Sequence, residues 1–203
     1  MRSGRPVWRA LVLGGARSGK SAFAERLLAE DPQVLYAATA PRYEHDAEWA
    51  ERIERHRETR PASWRTVEVG DTPDRLAALL RTADHTVLVD SLTLWLTAAM
   101  DAVGAWDDAA WNSKAPDGGQ PRAALGALVS ELVDAYAASA GSVVVVSDEV
   151  GFSVVPESAG TRRFRDELGR LNQAFAAAAD EVSLVVAGIA VRLKPGPGSL
   201  GSA

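Results

Sequence analysis

The chain has 203 residues, of which 22 are Lys or Arg and 27 are Asp or Glu, giving a formal net charge of −5 at pH 7. The length suits one α/β domain with a sizeable core, and the acidic balance gives no support to binding of nucleic acid or an anionic membrane. The absence of cysteine excludes disulfides, thiolate nucleophiles and cysteine-ligated zinc. No apolar run is long enough to span a bilayer, and the first residues lead into a strand rather than a secretion signal, so we expect a cytoplasmic protein.

The first predicted strand, Trp8–Leu13, runs into the glycine-rich segment Gly14–Ser21 and then into a helical pattern from Lys20 to Ala29. The spacing G-x-x-x-x-G-K-S between a strand and a helix is the Walker A pattern and predicts a nucleoside triphosphate site. Backbone amides and the positive end of the helix would face the phosphates. Lys20 would reach the β- and γ-phosphates and Ser21 would ligate Mg²⁺. The alternative is a purely structural turn that happens to match this sequence pattern.

Short β-branched runs alternate with longer helical patterns along the rest of the chain, which predicts a mostly parallel sheet with helices on both faces. The further predicted strands are Gln33–Ala38, Trp64–Val69, Thr86–Asp90, Ser142–Ser147 and Glu181–Ala187. The further predicted helices are Ala47–Arg57, Thr72–Leu80, Leu92–Met100, Arg122–Ala138 and Thr161–Ala178.

Two segments break the alternation. The segment Gly104–Pro121, rich in Gly, Pro and Asp, predicts a surface excursion, in which Trp106 and Trp111 either pack it down or join a partner. Residues 195–203 are mainly Gly, Pro and Ser, so we expect a disordered tail after one domain spanning residues 1–194.

A phosphate site of this type needs a carboxylate to organise its metal, usually an Asp that ends a neighbouring apolar strand. Two residues fit, because Asp90 and Asp148 both end apolar runs and would lie at the ligand-binding edge of the sheet. Each could instead cap a following helix. The pattern alone does not choose between them.

A third group of residues lies on one face of a helical pattern that includes the predicted helix Ala47–Arg57 and continues until Pro61 stops it. Trp49, Ile53, His56 and Arg60 follow at i, i+4, i+7 and i+11. On this pattern His56 is most simply a histidine at the edge of the core. Arg57 and Arg60 favour the other interpretation, a phosphate-handling site.

Eight stretches together resemble one known family. They are Gly14–Ser21, Arg52–Pro61, Trp64–Glu68, Val89–Leu96, Glu149–Glu157, Arg163–Asp166, Gly169–Gln173 and Ala187–Gly188. In this order, and over almost the whole chain, they resemble the bifunctional adenosylcobinamide kinase / adenosylcobinamide-phosphate guanylyltransferase family of the cobalamin pathway. A phosphate loop alone would indicate only a fold. The sequence departs from the family at Ser91, where Cys is usual, at Asp148, where Asn is usual, and at Thr97-Ala98, where Ser-Asn is frequent.

The resemblance implies a role for each candidate residue. His56 matches the nucleophile that becomes attached to GMP, and Asp90 rather than Asp148 matches a nucleotide-contacting carboxylate, so Ser21 and Asp90 are the expected Mg²⁺ ligands. Lys20 is the second expected catalytic residue. The implied nucleotide contacts are Gly14, Gly15, Ala16, Arg17, Ser18, Gly19, Lys20, Ser21, Thr39, Ala40, Pro41, Arg57, Glu58, Thr59, Arg60, Glu68 and Asp90. The family also suggests a homotrimer.

The implied enzyme phosphorylates adenosylcobinamide with GTP or ATP and then transfers GMP to the product through a histidine. Two other hypotheses remain open on the residues alone. One is a plain phosphate-loop kinase or NTPase with a structural His56. The other is a nucleotide-binding module that regulates a partner, although the sequence marks no switch loops.

Overall fold

A computed structural model describes residues 7–40, 60–113 and 120–195. Its strands form one seven-stranded sheet in the order β3-β2-β4-β5-β1-β6-β7. The strands are β1 (Arg9–Gly14), β2 (Val34–Ala38), β3 (Arg65–Glu68), β4 (Thr86–Asp90), β5 (Val143–Asp148), β6 (Glu181–Val186) and β7 (Ile189–Lys194). The helices are α1 (Lys20–Leu27), α2 (Asp74–Thr82), α3 (Leu92–Ala102), α4 (Asp108–Asn112), α5 (Pro121–Ala138) and α6 (Ala159–Ala178).

The first six strands run parallel, and only β7 is antiparallel to its neighbour. Buried residues alternate between the faces of the sheet, as a strand's period of two requires. Val143 and Val145 belong to the apolar cluster under α2, α3, α5 and α6, whereas Val144 and Val146 belong to the cluster on the α1 face. The sequence prediction of a mostly parallel sheet covered on both faces is therefore confirmed.

The topology places the candidate site at one edge of the sheet. β5 lies between β1 and β4, with Asp148 opposite Gly14 and Asp90 opposite Val146. Strands are spaced by about 4.8 Å, so Asp148 lies one strand and Asp90 two strands, or about 10 Å, from the end of β1.

The largest difference from the sequence prediction is at the C-terminal end. The last predicted strand, Glu181–Ala187, ends one residue earlier, and the strand β7 was not predicted. Ala187 and Gly188 both have positive φ, 51° and 81°, as the two central residues of a tight hairpin turn need. The alternation of apolar and charged residues from Val191 to Lys194 was the signal for this strand.

The predicted excursion Gly104–Pro121 is packed down over the part that the structure describes. It contains the short helix α4, and Trp111 is buried. The Arg163 guanidinium of α6 lies 4.7 Å from the Trp111 ring centroid and 2.6 Å from Asp108 Oδ1. Trp106 stacks on Phe164 with ring centroids 6.2 Å apart. Trp111 therefore packs against the protein, as one of the two interpretations predicts, whereas 39% of the Trp106 surface stays exposed.

Candidate active site

The segment Gly14–Ser21, called the phosphate loop below, joins β1 to α1 without a side chain to cap the helix. Gly19 is the N-cap residue, with φ 92°, and the first turn of α1 contains no acidic residue. The first amides of a helix have no partner within it, so here they are available to an anion, and the helix dipole favours one.

Close packing fixes the shape of the phosphate loop. A Cβ on Gly14 would lie 2.4 Å from Ser18 Oγ and 2.7 Å from the Val185 carbonyl, so only glycine fits there. On the other side, the hairpin turn contacts the loop, because the Gly188 N–H donates to the Ser18 carbonyl at 2.8 Å. Ser18 Oγ itself is buried and has no hydrogen-bond partner among the described residues. A phosphate oxygen would satisfy it.

Lys20, the motif lysine, contacts a carboxylate. Its Nζ lies 2.6 Å from Asp148 Oδ1 at the end of β5 and donates to the Gly15 carbonyl at 3.3 Å. The two side chains are only 13% and 23% exposed, so the pair is partly shielded from water. Lys20 must leave Asp148, or share it, to reach a triphosphate, which makes this carboxylate a competitor of the phosphates.

Asp90 has a different environment. Its Oδ2 accepts a hydrogen bond from the Tyr36 hydroxyl at 2.7 Å. Burial and the Asp90 charge raise the pKa of Tyr36 well above its usual range, so this hydroxyl stays protonated and remains a donor. Because this hydrogen bond uses Oδ2 of Asp90, the other carboxylate oxygen is available to bind a metal.

Neither carboxylate is a helix cap. Ser91, not Asp90, is the N-cap of α3, with Oγ accepting from the Leu94 N–H. The loop after Asp148 reaches α6 ten residues later, where Ser158 is the cap. The capping interpretation of both aspartates is therefore wrong.

Arg60 and Glu25 complete a group around Tyr36. The Arg60 guanidinium lies 3.3 Å from the Tyr36 ring centroid, and its Nε is 3.9 Å from Glu25 Oε1 of α1. The Arg60 side chain is only 8% exposed. Burial raises the pKa of Glu25, against the opposing effect of Arg60. We call these four residues, Glu25, Tyr36, Arg60 and Asp90, the Tyr36 cluster.

The remaining predicted contacts within the described residues lie at the same edge of the sheet. Thr39 is fully buried, and its hydroxyl donates to the Ser91 carbonyl and accepts from the Ser91 N–H, both at 2.7 Å. Its side chain therefore joins the ends of β2 and β4. Ala40 and Glu68 are half-buried.

Several sequence-predicted residues lie outside the described part of the chain. They are Pro41, the predicted helix Ala47–Arg57 with His56, and the three residues Arg57, Glu58 and Thr59.

The oxygen donors present fit a magnesium ion better than a metal that needs a cage of protein ligands. Within the described ranges, no group of three or more His, Cys, Asp or Glu side chains is arranged to hold a metal. Mg²⁺ usually binds one or two carboxylates and takes its other ligands from phosphates and water. A hydroxyl from Ser21 and a carboxylate from Asp90, together with a triphosphate, are a suitable set.

Sequence reasoning missed three contributors to this site, namely Tyr36, Glu25 and the hairpin turn at Gly188. Tyr36 is an apolar-looking position inside a strand, and Glu25 lies in a helix among other charged residues. Their roles depend on contacts between distant positions, such as Tyr36 with Asp90, 54 residues away, and Gly188 with Ser18, for which the sequence carries no local signal.

Comparison with known proteins gives one consistent result. Residues 10–193 match the family described as cobinamide kinase / cobinamide phosphate guanyltransferase. The chain is 42% identical over 185 residues to the bifunctional adenosylcobalamin biosynthesis protein CobU of Salmonella typhimurium, covering 91% of this chain and 98% of that protein. It is 44% identical over 193 residues to the bifunctional adenosylcobalamin biosynthesis protein CobP of Pseudomonas aeruginosa, covering 93% and 99%.

Solved structures resemble the fold at much lower identity. An ATPase from the type III secretion system of pathogenic bacteria superposes with a TM-score of 0.51 at 14% identity, over 87% of this chain and 50% of that one. The assembled ATPase EscN of enteropathogenic E. coli gives a TM-score of 0.52 at 14% identity, over 89% and 43%. The chain spans half or less of these two proteins and is only 14% identical to each, so the likeness concerns the fold alone. No helix in the described residues is both long and apolar enough to cross a membrane.

Proposed function

This chain belongs to the cobinamide kinase / cobinamide phosphate guanyltransferase family, and we propose that it phosphorylates adenosylcobinamide and then converts the product to adenosylcobinamide-GDP. The observation that carries the proposal is the phosphate loop, with its uncapped helix and the unpartnered Ser18 Oγ. The family match covers residues 10–193, so the similarity to the family extends beyond the phosphate loop, from β1 to β7.

In the kinase reaction, the hydroxyl oxygen of the aminopropanol arm attacks the γ-phosphorus of the triphosphate. The bond from that phosphorus to the bridging oxygen breaks, a nucleoside diphosphate leaves, and the hydroxyl proton is released. Such transfers depend mainly on positioning and on neutralising the phosphate charge. The loop amides and Lys20 position the phosphates and neutralise their charge, once Lys20 has left Asp148 and contacts a phosphate instead. Mg²⁺, held by Ser21 and Asp90, would neutralise the charge that remains.

In the transferase reaction, a neutral imidazole nitrogen of His56 attacks the α-phosphorus of GTP, and pyrophosphate leaves. A phosphate oxygen of the cobinamide phosphate then attacks the same phosphorus, the P–N bond breaks, and the imidazole is regenerated. Imidazole suits this role because its ordinary pKa of about 6.5 leaves it largely unprotonated at neutral pH. Arg57, Glu58, Thr59 and Arg60 are the proposed contacts on the nucleophile side.

We also propose that the protein is a cytoplasmic homotrimer. Ile189, Val191 and Leu193 lie on one side of the edge strand β7 and are all exposed. An exposed apolar row on a sheet edge is a surface that proteins usually cover. Sedimentation of the purified chain tests this, with a trimer expected and a monomer contradicting it.

The decisive experiment for the function is intact-mass analysis after incubation with GTP and Mg²⁺. We expect one added GMP, lost on acid treatment as a phosphoramidate should be, and formed without corrinoid. The His56→Asn variant should give no adduct but should still phosphorylate adenosylcobinamide, because only the transferase reaction uses a protein nucleophile.

Two results would contradict parts of the proposal. An adduct that persists in His56→Asn would place the nucleophile at another residue. Kinase activity without any adduct in the wild-type chain would leave a plain phosphate-loop kinase with a structural His56.

A further inference from the structure

The loop between β5 and α6, residues 149–157, presents three apolar side chains to solvent. Phe152 is 85% exposed, Val154 is 88% exposed and Val155 is 66% exposed. Val154 and Phe152 are the most exposed large apolar residues in the described part of the chain. Clustered exposure of this kind marks surfaces that bind a ligand or a partner.

The 149–157 loop is held at several points along its length. The Glu149 carboxylate accepts from the Gly151 N–H at 2.6 Å, and the Ser153 hydroxyl donates to the Val150 carbonyl at 2.8 Å. At the far end, Arg162 of α6 donates to the Pro156 carbonyl at 2.9 Å. The apolar side chains therefore lie on a braced backbone.

The same loop is attached to the phosphate loop. The Glu149 N–H donates to the Gly14 carbonyl at 3.1 Å, and the preceding residue, Asp148, contacts Lys20 Nζ. Three extended residues span at most about 11 Å, so Phe152 lies within that distance of Glu149. Since the motif lysine binds β- and γ-phosphates, the 149–157 loop starts at the γ-phosphate end of the site.

We propose that Phe152, Val154 and Val155 form the surface on which the corrin macrocycle of the acceptor lies while its hydroxyl arm reaches the γ-phosphate. This inference rests on the proposed function and assigns its substrate surface. The acceptor oxygen must approach the γ-phosphorus on the side opposite the leaving oxygen, so an acceptor surface is required next to this end of the phosphates. The methyl-bearing rim of a corrin offers apolar area of the kind these side chains would cover.

The other possible occupants fit less well. The guanine or adenine base is connected through the ribose to the α-phosphate, away from the γ-phosphate end where this loop begins. A second copy of the chain seated here would block the approach of the acceptor, and the row on β7 already offers a separate apolar surface for such a contact.

The test is the double variant Phe152→Ser/Val154→Ser, compared with the apolar control Phe152→Leu/Val154→Ile. Both sites are exposed, so neither change disturbs the core. We expect the double serine variant to raise the KM for adenosylcobinamide about tenfold, the effect of losing partial coverage of two apolar side chains rather than their full burial. The control should keep the wild-type KM. GTP affinity and the yield of GMP adduct, which needs no corrinoid, should be unchanged in both.

Three results would overturn the proposal. The first is an unchanged KM for adenosylcobinamide in the double serine variant. The second is a parallel loss of GTP affinity, which would assign the loop to the nucleotide. The third is a lower sedimentation coefficient, which would assign the loop to a contact between copies of the chain. Equilibrium dialysis of cobinamide without nucleotide separates this inference from the proposed function. Weaker binding to the serine variant supports the surface even if the wild-type chain forms neither product, and equal binding contradicts it.

Discussion

The phosphate loop and the Tyr36 cluster lie at the same edge of the sheet but are built in opposite ways. The loop is one continuous segment that works through its backbone and leaves polar groups, such as Ser18 Oγ, without a protein partner. The cluster joins side chains from α1, β2, β4 and residue 60, which contact one another. The loop offers backbone amides to a ligand, whereas the cluster positions Asp90 through the Tyr36 hydroxyl. Glu25 Oε1 and Arg60 Nε of the cluster, like Ser18 Oγ of the loop, have no hydrogen-bond partner among the described residues.

This comparison predicts that the largest effect comes from the phosphate loop. Lys20→Ala should lower both activities about 100-fold or more, since it removes a charged donor to the phosphates. GTP binding and GMP adduct formation should be measured beside kinase turnover. Lys20→Arg, which keeps the charge, is the control and should retain part of both. Near-normal adduct formation in Lys20→Ala would show that the transferase reaction does not use the loop.

The second prediction separates the two carboxylates. Asp90→Asn should impair Mg²⁺-dependent turnover more than Asp148→Asn, because Asp148 is engaged by Lys20 at 2.6 Å, whereas Asp90 is held by a neutral hydroxyl. Asp148→Asn should instead tighten GTP binding a few-fold, the size of a partly exposed ion pair of about 1 kcal/mol. Metal and GTP titrations of the two variants measure this. A larger loss of metal-dependent turnover in Asp148→Asn would reverse the assignment.

The same contrast explains what the sequence could predict. The phosphate loop was found because the Walker A pattern depends on residues at fixed local spacing. The parallel sheet was found because short β-branched runs alternate with longer helical patterns along the chain. The Lys20–Asp148 contact was not foreseen, since it depends on which strand lies beside β1. Tyr36 was missed because its hydroxyl acts on a residue 54 positions away.

The competing capping interpretation of the aspartates also shows where pattern reasoning stops. Both Asp90 and Asp148 end apolar strands, and a capping Asp looks the same in sequence. Only the position of the first helical turn distinguishes a capping aspartate from one at the end of a strand. The helix that follows Asp90 begins after Ser91, and the helix that follows Asp148 begins after Ser158.

The third prediction is of intermediate size and concerns the cluster. Tyr36→Phe removes the donor to Asp90 but keeps the ring under Arg60. The Mg²⁺ concentration for half-maximal activity should rise about tenfold, the usual effect of losing a partner of a metal ligand, with kcat at saturating Mg²⁺ little changed. Mn²⁺ binding in the presence of GTP gives a readout independent of turnover.

A matched variant separates the hydroxyl from the ring in this test. Tyr36→Leu removes both, so it should add a loss of thermal stability that Tyr36→Phe does not show. Superimposable metal titrations of wild type and Tyr36→Phe would mean that the hydrogen bond to Asp90 does not position it.

The smallest expected effect is a pH dependence of stability that comes from Glu25. Burial raises its pKa above the ordinary value of 4.5, Arg60 opposes the shift, and Asp90 adds to it. The folded state therefore keeps this proton at a pH where the unfolded chain has lost it, so the stabilisation is present below pH 4.5 and is lost as the pH rises through the folded pKa. Glu25→Gln has no such titration. The Tm of Glu25→Gln relative to wild type should then increase as the pH rises above 4.5 and level off beyond the folded pKa. A difference that stays constant with pH would mean that Glu25 titrates alike in the folded and unfolded chains.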